Sequence, residues 1–304
     1  MPKNESLNKI LVLGSGAIKI GEAGEFDYSG SQCLKAIHED GLKSVLINPN
    51  IATIQTDTRF ADQVYLLPVN PQYVESVLEK ERPDGIMLAY GGQTALNCGV
   101  KLEEAGILQK YGVKVLGTQV QGIKNTEDRQ LFKDQMTEAG VPVLKSKTVT
   151  NVDDAKKVAE ELNYPVIVRV AYTLGGRGGG IAHNEIELHE IVERGLNASL
   201  VGQVLVEEYI GHWKQIEYEV MQDYDGNNVI VCNMENVLSM KVHTGDNIVV
   251  APSQTINNHE YHMLRSAALR ATKHVGIVGE CNIQYALDSD SDRYVAIEIN
   301  PRLS

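Results

Sequence analysis

A glycine-rich loop behind an arginine is the first stretch of this sequence that could do chemistry. The β-favouring or apolar run 164–168 predicts a strand that leads into Arg169, and five glycines occupy six positions of 175–180, interrupted by Arg177. Glycine lets backbone N–H groups approach an anion closely, and arginine offers a planar fork to the same anion. The loop lacks the Gly-Lys-Ser/Thr of a Walker A motif. We expect nucleotide phosphates here, with a flexible hairpin tip as the alternative.

A second group of polar residues lies on two predicted strands near residue 304. Residues 281–287 and 294–300 are predicted to form a β-hairpin around an acidic turn. Period-two alternation puts Gln284 on one face of the first strand and Glu298 with Asn300 on one face of the second. Their oxygens suit Mg²⁺, so the hairpin predicts a cation site beside the phosphates. A solvated sheet face is the alternative.

Three helix N-termini can be predicted from the sequence, and one of them precedes a further arginine. Thr126 is a predicted N-cap with acidic residues in the first turn, and Arg129 follows either as a solvated residue or as a second phosphate contact. Asn258 is a predicted N-cap of a later helix. Asn70 before Pro71 predicts another helix start, since proline is favoured at the first helical position.

The elements that must position these residues fall into two parts. Alternating strands and helices predict a doubly wound parallel α/β sheet over residues 1–125, with strands at 9–13, 44–47, 85–89 and 113–116. Residues 126–304 are predicted to form a second domain, in which about 126–206 makes a lid that carries the glycine loop. The stretch 213–220 alternates polar and apolar residues, which predicts a half-buried antiparallel strand.

Composition excludes several classes of function. Lys and Arg number 28 against 40 Asp and Glu, and the net charge of −12 argues against a general nucleic-acid or anionic-membrane surface. Four scattered cysteines without a CxxC pair predict reduced, mostly buried thiols. No apolar run approaches membrane-spanning length, and residues 1–6 lack an apolar signal segment. We expect a soluble, cytoplasmic protein.

Taken together, the motifs resemble the large-subunit family of carbamoyl-phosphate synthetases, in its N-terminal, carboxyphosphate-forming half. The resemblance covers the whole chain and implies a pre-ATP-grasp domain followed by an ATP-grasp domain that is incomplete at its C-terminus. It rests on the glycine loop and on further segments in the family's order: 14–30, 48–53, 91–97, 126–129, 243–246, 251–255 and 298–302.

The resemblance implies a reaction and partners. ATP and bicarbonate would give carboxyphosphate, which ammonia converts to carbamate for carbamoyl phosphate, arginine and pyrimidine synthesis. A glutaminase small subunit would supply the ammonia, and the missing C-terminal half of the synthetase would phosphorylate carbamate.

It also implies site residues. Arg129 and Arg169 would bind phosphates beneath Gly175 and Gly176, and Arg302 would face bicarbonate or carboxyphosphate. Mg²⁺ or Mn²⁺ would be held by Gln284, Glu298 and Asn300. The remaining implied nucleotide contacts are Glu208 and Ile210 at the adenine, and Lys241, Val242 and His243 on a nearby loop.

Departures from the family pattern keep alternatives open. Gln215 stands where the family usually has Glu, at a position implied to contact the ribose or a monovalent cation such as K⁺. The chain is several times shorter than a full large subunit. We therefore do not expect catalytic turnover to be a necessary property of the isolated chain. Another ATP-grasp carboxylase or ligase, and a non-catalytic nucleotide-binding fragment, are the alternatives.

Overall fold

The structure is a computed structural model that describes residues 4–16, 23–170, 179–199, 202–238 and 247–302. Its first part contains a parallel sheet of five short strands in the order β3-β2-β1-β4-β5. These strands are β1 (Lys9–Leu13), β2 (Lys43–Ile47), β3 (Gln63–Tyr65), β4 (Gly85–Met87) and β5 (Lys114–Leu116). The order runs outward from β1 in both directions, which confirms the predicted doubly wound α/β sheet.

Helices connect these strands. They are α1 (Tyr28–Glu39, after a π-helical turn at Ala23–Asp27), α2 (Pro71–Glu81), α3 (Gly92–Glu104), α4 (Ile107–Tyr111) and α5 (Val120–Glu127), with α6 (Arg129–Glu138) following. The predicted start of α2 is confirmed. The side chain of Asn70 accepts a hydrogen bond from the backbone N–H of Tyr73 at 3.2 Å, and Pro71 holds the first helical position.

The start of α3 lies in close contact with the backbone at the end of β1. A Cβ atom at Gly91 would lie 2.4 Å from the carbonyl oxygen of Gly14 and 2.5 Å from that of Leu13. Backbone atoms at the end of a buried strand cannot move aside as a flexible side chain can. Only glycine therefore fits where the chain enters α3.

We expect Gly91→Ala to lower the free energy of unfolding by about 1–3 kcal/mol, the usual cost of overpacking. Gly24→Ala is the matched control, because a Cβ atom at Gly24 has no atom within 4 Å. Urea unfolding followed by circular dichroism measures both variants. An equal loss of stability in the two would contradict the contact.

A four-stranded antiparallel sheet, in the order β6-β9-β7-β8, makes up the next part of the chain. Its elements are β6 (Ser146–Val149), α7 (Val152–Leu162), β7 (Val166–Val170), β8 (Gly180–Ala182), α8 (Glu185–Ala198) and β9 (Val204–Glu208). Apolar side chains of α7 and α8, including Val158 and Val192, pack on this sheet. We call this unit the lid.

The third sheet is antiparallel, with the order β12-β11-β10-β13-β14. Its elements are β10 (Lys214–Gln222), β11 (Asn228–Asn236), β12 (Val249–Val250), α9 (Asn258–Val275), β13 (Gly279–Leu287) and β14 (Tyr294–Asn300). Phe132 and Met136 of α6 join the core of this sheet with Tyr218 and Tyr285. The predicted lid began at 126, whereas the structure packs α6 on the third sheet and begins the lid sheet at Ser146.

Two predicted helix caps are wrong by one or two residues. Asp128, not Thr126, caps α6, and its carboxylate accepts backbone N–H bonds from Gln130 and Leu131 at 2.9 Å each. Thr126 instead lies in the last turn of α5, and the extended backbone of Asp128 separates α5 from α6. Asn257, not Asn258, caps α9 in a reciprocal capping box with Glu260.

The four cysteines are all free thiols, with Cys33, Cys98 and Cys281 buried and Cys232 half-buried. The predicted burial of most of these thiols is confirmed. Among the helices of the described residues, none has the length and apolar character needed to cross a membrane.

Candidate functional site

A cavity of about 290 Å³ lies where the lid, the start of α6 and β14 meet. Four residues predicted from the sequence line it together, namely Arg129, Arg169, Glu298 and Asn300. Both predicted phosphate-binding arginines and two of the three predicted metal ligands therefore share one space. Arg169 is on β7 of the lid sheet, whereas Glu298 and Asn300 are on β14 of the third sheet. Their proximity therefore results from the packing of the two sheets.

Arg169 reaches the cavity from β7 and is oriented by a neighbouring strand. Its Nε donates to Glu207 Oε1 on β9 at 3.0 Å. The side chain of Glu207 is only 11% exposed, while that of Arg169 is 48% exposed. One edge of the guanidinium is thus anchored to a largely buried carboxylate, which holds the side chain at the cavity wall.

β13 and β14 form the predicted hairpin as antiparallel neighbours. Gln284 lies directly opposite Glu298, and Asn282 lies opposite Asn300. The side-chain amide of Asn300 donates to Glu298 Oε1 at 3.0 Å. One carboxylate and two side-chain amides therefore lie on neighbouring strands, and oxygen donors of this kind suit Mg²⁺. Among the described residues, no group of three or more His, Cys, Asp or Glu side chains could hold a metal.

Arg302 links the end of β14 to the first domain. Its guanidinium forms an ion pair with Glu25 and lies 5.0 Å from the ring centroid of Phe26. Nη2 also donates to Asn300 Oδ1 at 3.4 Å. Arg302 is therefore next to a predicted metal ligand and is held there by the parallel-sheet domain.

Glu208 and Ile210, the predicted adenine contacts, are not among the residues that line the cavity. Glu208 accepts a hydrogen bond from the backbone N–H of Lys145 at 2.9 Å and pairs with Arg293. Ile210 is buried beside Trp213. The other predicted nucleotide contacts, Gly175, Gly176, Lys241, Val242 and His243, lie outside the described residues.

A buried polar cluster beside the site was missed by the sequence reasoning. The strand β10 was predicted to be half-buried, with its apolar face covered. Its polar side chains are nevertheless buried as well, since Gln215, Glu217 and Glu219 are only 6%, 3% and 5% exposed. Asn282 Nδ2 donates to Glu217 Oε2 at 2.9 Å and to Glu219 Oε1 at 2.7 Å. Gln215 Nε2 donates to Gln284 Oε1 at 3.3 Å, which connects the cluster to a predicted metal ligand.

Family comparisons match both parts of the chain. The family model described as the carbamoyl-phosphate synthase preATP-grasp domain matches residues 6–125. The model described as the carbamoyl-phosphate synthase L chain, ATP binding domain, matches residues 128–304. The chain belongs to the carbamoyl-phosphate synthase large-chain family. The predicted resemblance is thereby confirmed.

Individual relatives give the same family. The carbamoyl-phosphate synthase large chain of Caldanaerobacter subterraneus is 56% identical over 304 residues, which are 100% of this chain and 28% of that protein. The large chain, N-terminal section, of Methanopyrus kandleri is 55% identical over 300 residues, 99% of this chain and 53% of that protein. The chain thus spans about a quarter to a half of the length of these carbamoyl-phosphate synthase relatives.

A solved structure shows the same fold. The biotin carboxylase domain of 2-oxoglutarate carboxylase from Hydrogenobacter thermophilus, in complex with MgADP, ADP and bicarbonate, has a TM-score of 0.75 and 23% identity. The match covers 98% of this chain and 64% of that one. With the carbamoyl-phosphate synthase family models, this confirms the predicted pre-ATP-grasp and ATP-grasp domains.

Burial raises the pKa of three glutamates among the described residues, and two of them, Glu219 and Glu127, lie at or beside the site. Burial raises the pKa of the Glu219 carboxyl to about 8; nearby Glu280 and Glu217 raise it further, and the hydrogen bond from Asn282 opposes them. Burial also raises the pKa of Glu127 at the cavity wall, and the charge of Arg302 opposes that shift. Both carboxyls therefore favour their neutral forms more than exposed glutamates do.

The shift at Glu219 predicts a pH-dependent stability. The ordinary pKa is 4.5, so between that value and about 8 the folded chain binds a proton that the unfolded chain releases. Stability must then fall as pH rises through this window. We expect Glu219→Gln to reduce the fall in unfolding free energy between about pH 5 and pH 8 by more than about 1 kcal/mol.

Urea unfolding at several pH values checks this expectation. Glu193→Gln is the control, because its carboxylate on α8 is 67% exposed. If the parent chain and Glu219→Gln show the same pH dependence, the Glu219 carboxyl does not keep its proton in the folded state.

Proposed function

We propose that this chain binds ATP and bicarbonate and forms carboxyphosphate. The observation that carries the proposal is the shared cavity, in which Arg129 and Arg169 face the oxygen-bearing edge of β14. Family membership favours this reaction over other ATP-grasp chemistries, because sequence identity to carbamoyl-phosphate synthase chains exceeds 50% while identity to the biotin carboxylase domain is 23%.

The reaction needs positioning and charge neutralisation more than covalent chemistry. A bicarbonate oxygen attacks the γ-phosphorus of ATP, a new P–O bond forms, and the bond to the β–γ bridging oxygen breaks to release ADP. Arg129 and Arg169 would orient the phosphates and offset the charge that spreads over the transferred group. Arg302, beside Asn300, would orient bicarbonate or carboxyphosphate.

The hairpin oxygens would hold a divalent ion. Gln284, Glu298 and Asn300 fit Mg²⁺ or Mn²⁺ because they offer only oxygen ligands, and the bound ion would neutralise phosphate charge. The contact from Gln215 Nε2 orients the amide of Gln284. The neighbouring biotin carboxylase domain was solved with MgADP and bicarbonate, which supports the same pairing of substrates on this fold.

The remaining assignments extend the proposal. Glu208 and Ile210 would contact the adenine, and Gln215 would contact the ribose or a K⁺ ion. Gly175, Gly176, Lys241, Val242 and His243 would complete the nucleotide contacts.

The complete reaction needs more polypeptide than this chain. Ammonia, supplied by a glutaminase subunit, would convert carboxyphosphate to carbamate, and the C-terminal half of the synthetase would phosphorylate carbamate for arginine and pyrimidine synthesis. We place the enzyme in the cytoplasm, in keeping with its four free thiols.

Bicarbonate-dependent ADP release tests the proposal. The chain is completed with the remaining polypeptide of the Caldanaerobacter large chain, and ADP is measured with and without bicarbonate. We expect ADP release to require bicarbonate and not biotin. Release that depends on biotin would favour a biotin carboxylase, and ATP binding by calorimetry without any release would favour a non-catalytic module.

A further inference from the structure

A second cavity, an open groove of about 880 Å³, lies on the parallel-sheet domain, away from the proposed active site. One wall is α1, which contributes Cys33, Ala36 and Ile37. The floor is the sheet face that carries Ile10, Met87 and Leu116. We call this space the α1 groove. Its lining is predominantly apolar, which is unusual for a surface that faces only water.

The sheet topology explains why this face is open. Buried side chains of α2 and α3, such as Val74 and Leu96, pack on one face of the sheet with Leu11 and Ile86. On the opposite face, Ile10 packs against α1. A right-handed crossover from β4 to β5 must pass on the face away from α1, because these strands extend the sheet in the other direction.

In the described part of the chain, side chains on this face beyond α1 are only partly covered. Met87, Tyr90 and Leu116 are only partly buried against the α1 cluster. At one end, Tyr224 from the turn between β10 and β11 borders the groove, and its hydroxyl accepts a hydrogen bond from the backbone N–H of Gly117 at 3.2 Å. The groove therefore has two helical or loop walls and an apolar floor, the shape that receives an amphipathic helix.

The path of the chain indicates which polypeptide lies near the groove. Arg302, among the last residues described, pairs with Glu25 and lies over Phe26. Those two residues belong to the turn that leads directly into α1, the groove wall. The relatives carry additional polypeptide beyond the part that this chain matches, nearly half of the Methanopyrus protein and about three quarters of the Caldanaerobacter protein.

We propose that the α1 groove binds an amphipathic helix from the part of the carbamoyl-phosphate synthase large chain that follows the region matched here. Polypeptide continuing from Arg302 starts beside the root of α1 and needs only a short connection to lie along it. α1 has 12 residues and so spans about 18 Å, a length that three or four helical turns of the partner would match. The helix supplies the missing layer over β4 and β5.

Ala36→Arg tests the proposal with little risk to folding. Ala36 is an exposed residue of α1 that lines the groove, and arginine is a good helix former. His38→Arg is the matched control, because it places the same side chain on an exposed position of the same helix outside the groove. Leu116→Lys changes the floor instead of the wall.

Amide hydrogen exchange of α1 and β5 is compared between the chain alone and its fusion to the remaining Caldanaerobacter polypeptide. We expect exchange to slow by about tenfold or more in the fusion, as burial under a packed helix requires. Ala36→Arg and Leu116→Lys should restore the faster exchange, and His38→Arg should not.

Three results would overturn the proposal. The first is equal exchange in the chain and the fusion, and the second is protection that survives both groove variants. The third is protection of the chain alone that grows with its concentration and disappears in Ala36→Arg, which would identify a second copy as the occupant.

Discussion

Replacing Arg169 with alanine is expected to slow bicarbonate-dependent ADP release roughly 30- to 1000-fold, the equivalent of about 2–4 kcal/mol. Arg169 lines the cavity that also contains Arg129 and Glu298. A guanidinium that stabilises charge on the transferred phosphoryl group acts more strongly in the transition state than in the ground state. The loss should therefore fall on kcat more than on KM for ATP. Steady-state kinetics of the completed chain measure both.

The salt bridge to Glu207 must be separated from this effect. Removing Arg169 leaves the largely buried carboxylate of Glu207 without this partner, which lowers stability as well. Glu207→Gln breaks the ion pair and keeps the guanidinium, so it should retain most of the rate. Arg194→Ala, at an exposed arginine of α8, is the matched control for charge on the lid. A normal kcat in Arg169→Ala would refute its assignment to the phosphates.

The fold could be predicted where local signals agree with packing. β1 occupies Lys9–Leu13 as predicted, because a short apolar run that ends at a Gly-Ser-Gly turn is typical of a strand buried on both faces of a sheet. Asn70 and Pro71 act through contacts within one helical turn, so sequence alone locates the start of α2. The Thr126 error arose because the side chains of Thr126 and Asp128 can both cap a helix, and only the structure shows the extended backbone at Asp128.

Sequence reasoning predicted four residues that the structure brings to one cavity, but it did not predict what surrounds them. Alternation along β13 and β14 predicted which residues share a face of each strand, since side-chain direction in a strand has a fixed period. The structure adds the register, in which Gln284 lies opposite Glu298. The same alternation failed on β10, where the polar residues Glu217 and Glu219 are buried. Which sheet face is covered depends on distant elements, so period alone could not distinguish a polar core from a solvated surface. One feature of the sequence did indicate the buried cluster: Asn282 lies two residues before Gln284, so both side chains point to the same face of β13.

Glu298 is the one carboxylate in the predicted ligand set. Its exposed position makes a role in core packing unnecessary. Its side chain is exposed at the cavity, and Asn300 donates to one of its oxygens at 3.0 Å. The opposite residue, Gln284, contributes only an amide oxygen. Full negative charge at this edge of the sheet therefore depends on Glu298, and a divalent ion bridging to phosphate requires that charge.

We expect Glu298→Gln to abolish the Mg²⁺ dependence of ADP release and to reduce the rate by about 100-fold or more, since a metal ion contributes several kcal/mol to phosphoryl transfer. The substitution keeps size and shape, so the unfolding free energy should not change. Titrating Mg²⁺ separates this variant from Arg169→Ala, whose defect should persist at every Mg²⁺ concentration. Asp290→Asn, in the turn between β13 and β14, is the control for charge on the hairpin. An unaltered Mg²⁺ titration in Glu298→Gln would show that the ion binds elsewhere.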